Sequence, residues 1–161
     1  MGSVKWLGAV VVLFAGCAPR SPGVRASQFK PPDDVAVIRA AADHFLRVFA
    51  DLDWELFRTC WASEPSVFFP FDDTPERVSG RAAVEARFRR IFDEVRACTP
   101  GPPYLHLNPL ELRVEPYGDA ALVTFMLGEP RGRASRRTLL FVREDRTWKL
   151  AHLHASAAGP P

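Results

Sequence analysis

Two imidazoles placed two residues apart are the most chemically suggestive feature of this 161-residue chain. His152 and His154 lie in Trp148-Lys149-Leu150-Ala151-His152-Leu153-His154-Ala155-Ser156, a run whose twofold alternation predicts a strand. In an unbroken strand Trp148, Leu150, His152, His154 and Ser156 share one face, and Lys149, Ala151, Leu153 and Ala155 share the other. Imidazoles on an apolar face need a partner, water or a ligand. That face is therefore expected to line a cavity in which His152 and His154 contact a ligand or act as general base, the alternative being a pair of satisfied core or rim histidines.

Other residues could join them. Tyr104, His106 and Asn108 alternate on one face of a second predicted strand and could orient a substrate if that face points inward; the opposite parity would leave them in water. Asp72 is the acid candidate at a pocket mouth, although Asp72-Asp73 before Thr74-Pro75 has the composition of a solvated loop. His-x-His projects two rings to one side about 6.6 Å apart, near enough to bite one metal ion, but a third ligand would have to be His106, Asp72 or Asp73 at no diagnostic spacing. No metal is therefore expected, and no cofactor motif is present. Trp61 is kept as a ligand contact, while the set Trp54, Phe57, Trp61, Phe68, Phe69 and Phe71 falls where helices must pack and reads mainly as core. Cys60 and Cys98 show no spacing pattern, so a disulfide between them stays open.

The elements that would position these groups follow from periodicity. Asp33 or Asp34 can cap a helix with Val35, Ile38, Ala41, Ala42, Phe45, Phe49 and Leu52 on one side. Asp53 can cap a shorter helix carrying Leu56, Phe57 and Trp61, which Pro65 closes before a strand at Ser66–Phe71. After Gly80 a third helix turns Ala83, Val84, Phe88, Ile91, Phe92 and Val95 inward and ends before Pro100, Pro102 and Pro103. The period then becomes twofold over Tyr104–Val114, Ala120–Leu127, Arg136–Arg143 and Trp148–Ser156. Short connections favour sequential antiparallel pairing, which gives an α+β domain: a curved antiparallel sheet packed on three N-terminal helices, with a pocket between them.

In this order the elements resemble the nuclear transport factor two-like superfamily in its SnoaL-like branch, over about residues 33 to 156. The resemblance is carried by the long first helix, the short helix at Asp53-Trp54, Phe68-Phe69-Pro70, the lead-in Val78-Ser79-Gly80-Arg81-Ala82-Ala83-Val84, and the closing strands. The final strand is also similar to the association domain of calmodulin-dependent kinases. The resemblance implies a cone-shaped domain with an open pocket, often dimeric through the outer sheet face, and it covers enzymes, binding modules and assembly domains alike. Steroid isomerases of the superfamily carry a carboxylate and a phenol where this chain has Phe69 and Phe45, neither of which can move a proton. In the kinase association domains an arginine on the strand before the last binds anions; alignment from the turn at Asp145 puts Leu139 there, with Arg136 and Arg137 displaced toward the edge.

The first residues bear on compartment. After Lys5 the apolar run Trp6 to Gly16 is short of the ~20 residues a membrane-spanning helix needs and suits a signal-peptide core. It ends Leu13-Phe14-Ala15-Gly16-Cys17, which resembles a bacterial lipobox with Cys17 as the lipidated residue. Residues 18–32 hold Pro19, Pro22, Pro31 and Pro32 with few large apolar groups and read as a tether. The expected plan is a signal peptide at 1–16, a lipidated Cys17 and tether at 17–32, one domain at 33–156 and a flexible tail at 157–161. A net charge of +2 with interspersed signs excludes a nucleic-acid stripe. The expected protein is exported to a bacterial cell envelope and held by its lipid; it binds a small molecule or protein and forms a homodimer through the apolar strip Ala151, Leu153 and Ala155. The alternative function is a cofactor-free lyase, isomerase or hydrolase with a pocket histidine as base.

Overall fold

The computed structural model describes residues 32–128 and 134–157. The signal-peptide region, Cys17, the tether before Pro32 and the tail after Ala157 lie outside the described residues. Helix α1 (Pro32–Ala50) buries Ile38, Ala42 and Phe45 of the expected stripe, and Leu46 and Val48 beside them. Leu52 adopts a left-handed φ of 51° and is fully buried, turning the chain directly into α2 (Trp54–Thr59). There Asp53 caps as expected, its Oδ1 accepting from the Leu56 N–H at 3.1 Å.

Helix α2 stops at Thr59, and the next strand begins earlier than proline placement implies. Strand β1 (Trp61–Phe68) contains Pro65 in an irregular stretch between Trp61 and Ser66. A missing N–H is tolerated at such a bulge, and the Pro65 carbonyl is used, accepting from Gly80 at 2.9 Å. Strand β2 (Val78–Ser79) leads to Gly80, whose φ of 85° releases α3 (Arg81–Cys98). Helix α3 buries Val84, Phe88, Ile91 and Phe92, and Arg81 reaches back to the carbonyls of Arg58, Trp61 and Ala62. Phe45, Phe49, Phe57, Trp61, Phe88 and Phe92 pack ring on ring with centroids as close as 4.9 Å, so the core lies where α1, α2 and α3 converge on the sheet.

Strands β3 (Pro109–Tyr117), β4 (Ala120–Gly128), β5 (Ala134–Glu144) and β6 (Thr147–Ala157) complete a curled, unclosed sheet in the order β2-β1-β6-β5-β4-β3. The α+β class stands, with one change: β1 pairs with β6 in parallel, so the sheet is mixed. Cys60 is buried, Cys98 is exposed, and both thiols are free.

One irregularity decides which way the histidines face. Along the β5 pairing, Phe141 opposes Leu150 and its neighbour Leu140 opposes His152, which leaves Ala151 as an extra residue in β6. Such a bulge inverts the alternation beyond it. Trp148 and Leu150 are buried before it, and Leu153 and Ala155 after it, on the same inner face. His152, His154 and Ser156 are therefore on the outer face, not beside Trp148 and Leu150. The proposed dimer strip loses its motive for the same reason, since Leu153 and Ala155 belong to the core.

Candidate functional site

Between the inner sheet face and the helices lies a cavity of about 230 Å³. Phe45, Leu46 and Phe49 come from α1 and Ile91 and Val95 from α3, each helix offering side chains one turn apart on a single face. Leu105, Leu107 and Phe71 close it from the loops; Phe125, Leu127, Leu139 and Leu153 form the sheet wall. Among the thirteen described lining residues only Arg137 carries a polar side chain. It sits across from Phe125 on β4 and Ala155 on β6, both inward-facing, and Nη1 donates to the Arg136 carbonyl at 2.9 Å.

The Phe71 wall is held from outside the cavity. The Phe71 ring stacks on Phe69 at 5.9 Å with an interplanar angle of 13°, and the Arg87 guanidinium lies over both rings, 5.1 Å from the Phe71 centroid and 5.5 Å from that of Phe69. Arg87 also donates to both Asp73 carboxylate oxygens at 3.0 and 3.2 Å and to Thr74 Oγ1 at 3.1 Å. The turn that carries Phe71, closed by the Thr74 N–H on the Phe71 carbonyl at 3.1 Å, is thus clasped to α3.

The residues singled out in sequence lie elsewhere. Tyr104, His106 and Asn108 lie in the segment that precedes β3 and not on a strand as expected: Leu105 and Leu107 enter the cavity, and His106 and Asn108 are exposed. Tyr104 borders a separate surface groove with Trp54 and Arg96, and its N–H and that of Leu105 both donate to the Ala50 carbonyl, tying this segment to the end of α1. The groove is larger, about 620 Å³, but lies open on the surface, and Arg96 there donates to the Leu52 carbonyl at 2.7 Å. Asp72 is exposed in its loop. Trp61 is 3% exposed, locked against Phe45 and Phe88, and reaches no cavity wall.

On the outer face His152 Nδ1 lies 2.8 Å from Ser66 Oγ, and Phe68 packs against both imidazoles, with centroids 5.8 and 5.5 Å away. Burial, followed by the charges of His154 and Arg77, pushes His152 below the usual imidazole range, while hydrogen bonding to Ser66 acts in the opposite direction. Among the described residues no third His, Cys, Asp or Glu comes near enough to close a metal site. The Cys60 thiol, pushed up to about 11 by burial against the smaller opposing effect of Lys149, is a poor nucleophile. Sequence reasoning missed Arg137 as a cavity residue because it read the charge as an edge feature; the signal was its twofold spacing from Leu139 and Phe141, both fully buried.

A sequence profile of the SnoaL-like domain matches residues 38–160. The chain belongs to the SnoaL-like domain family. Solved structures agree with this SnoaL-like assignment in fold. A protein proposed to be a dehydratase of the NTF2-like family from Streptomyces avermitilis is 25% identical, over 81% of this chain and 100% of its own, with a TM-score of 0.68. A ketosteroid isomerase-like protein from Erwinia carotovora atroseptica is 18% identical over 81% of this chain and 100% of its own, at 0.61. A domain from Thiobacillus denitrificans, proposed to be a calcium/calmodulin-dependent protein kinase type II association domain, is 22% identical over 75% and 94%, also at 0.61. No curated protein matches the sequence.

Proposed function

We propose that this SnoaL-like domain binds a small, largely apolar molecule inside its cone and performs no proton-transfer chemistry there. A single observation supports this: among the described residues the cavity wall is apolar apart from Arg137, whose guanidinium stays protonated at any physiological pH. A lyase or isomerase that uses a histidine base would need that ring within hydrogen-bond reach of the bound substrate, and His152 and His154 occupy the opposite face of the sheet. The same proposal includes export and attachment through a lipid on Cys17, which rests on the Lys5-to-Cys17 pattern alone.

The volume of 230 Å³ corresponds to about eight waters at ~30 Å³ each, so a ligand of about eight to ten non-hydrogen atoms fits. At roughly 0.5 kcal/mol per atom, binding would amount to about 4–5 kcal/mol, a Kd from about a millimolar down to a few hundred micromolar. Calorimetric titration with 1-octanol should therefore saturate, and Leu107→Trp, which fills the cavity from its half-buried loop side, should abolish binding at a cost to folding of about 1–3 kcal/mol. Saturable binding that survives the filled cavity would place the ligand elsewhere and end this proposal.

A further inference from the structure

We infer that His152 and His154 form a two-imidazole chelate on the outer sheet face for a late first-row divalent metal ion, the nickel, copper and zinc class. This site is separate from the apolar cavity and does not depend on it. Beyond the extra residue at Ala151 the alternation of β6 is regular, so the two rings project to one side from positions about 6.6 Å apart along the strand. Opposite them stand Ser66 and Phe68 on β1, and Leu140 and Thr138 on β5. Phe68 packs against both rings, with centroids 5.8 and 5.5 Å away, which keeps the imidazoles in one neighbourhood.

His152 is held, and His154 is free to turn. Ser66 Oγ lies 2.8 Å from His152 Nδ1, the ring nitrogen nearer the backbone, which leaves Nε2 for an ion. A cation on Nε2 selects the tautomer with its hydrogen on Nδ1, and the serine oxygen is in place to accept that hydrogen; metal-bound imidazoles nearly always have such a partner. His154 is exposed and makes no hydrogen bond among the described residues, so its ring can lean toward His152. Metal–nitrogen bonds of about 2.0–2.1 Å require the two nitrogens to come within about 3 Å of each other. Because no third His, Cys, Asp or Glu lies near among the described residues, water completes the coordination shell. The lack of a carboxylate and the charge of Arg77, which reaches His152, disfavour hard ions such as Mg(II) and Ca(II), which take oxygen ligands. Binding therefore rests on nitrogen bonds, which strengthen along the first-row series from Mn(II) toward Ni(II) and Cu(II).

Calorimetric titration of the full chain with nickel chloride at about pH 7.5 should show one ion per chain, held at least about tenfold tighter than Mn(II), while Mg(II) gives no binding heat. His152→Gln and His154→Gln should each weaken Ni(II) at least about tenfold. Ser66→Ala should weaken it about fivefold, since this positioning residue only orients a ligand, and Ser66→Thr, which keeps the hydroxyl, should restore it. His106→Gln, at an exposed histidine elsewhere, should leave the affinity within about twofold. Labelling of the wild-type chain with diethyl pyrocarbonate needs no variant to fold: Ni(II) should protect His152 and His154 and leave His106 reactive. Unchanged Ni(II) affinity in His154→Gln, an equal loss in His106→Gln, or labelling of the pair that Ni(II) does not slow would overturn the site.

Discussion

Arg87 is the residue whose removal should separate the ligand site from the fold. Its side chain is 10% exposed, sandwiched with Phe69 and Phe71, and paired to an Asp73 that is 61% exposed. Arg87→Met keeps most of the apolar stem and deletes the charge. The two cation–π contacts, largely desolvated, are together worth about 1–2 kcal/mol. The ion pair is discounted to about 0.5 kcal/mol because Asp73 is solvated, and the Thr74 bond adds about 0.5–1 kcal/mol. Against these losses, Arg87 Nη1 is buried with no hydrogen-bond partner, and removing it returns about 1 kcal/mol. The net loss is about 1–2.5 kcal/mol, a fall in Tm of about 3–10 °C. The effect on binding should be disproportionate, because Phe71 is a cavity wall 40% exposed to solvent and depends on this clasp for its place. Affinity for 1-octanol should drop about three- to tenfold in Arg87→Met, whereas Asp73→Asn, which spares the ring contacts, should change it by less than about twofold. Circular dichroism melts and calorimetric titration of the same samples would measure both effects. An Arg87→Met protein that loses stability as calculated yet binds 1-octanol within twofold of wild type would refute the idea that this arginine positions the wall.

Two other outcomes follow from residues outside the cavity. His152 titrates below its unfolded value, so between the two values the unfolded chain holds more protons; its contribution to stability is full above the unfolded value near 6.5 and is lost on acidification. Urea unfolding at about pH 7.5 and 5.5 should therefore show a smaller acid loss in His152→Gln than in wild type, and equal losses would contradict this; the charges facing the ring are His154 and Arg77. For the proposed anchor, wild type should partition into the detergent phase of a Triton X-114 separation and Cys17→Ser should not, unaltered partitioning and processing in the variant arguing against lipidation.

Much of the scaffold was legible from local physics. The apolar stripes of α1 and α3, the Asp53 cap, the Gly80 release and the order of the four C-terminal strands each depend on a few neighbouring residues, and each is found. Pro65 misled because a bulge absorbs the donor it lacks, and a bulge depends on the partner strand rather than on the proline. The site depended on tertiary structure throughout. Alternation specifies two faces of a strand but not which one is inner, so Leu105 and Leu107 went in while His106 and Asn108 went out only once the strap was tied to the end of α1. Arg87 meets Phe71 across 16 residues of chain, a contact that no local pattern encodes. The histidine pair turned on the extra residue at Ala151: the chain alone shows an unbroken alternation there, and the inserted register exists only because β6 must match β5 on one side and β1 on the other.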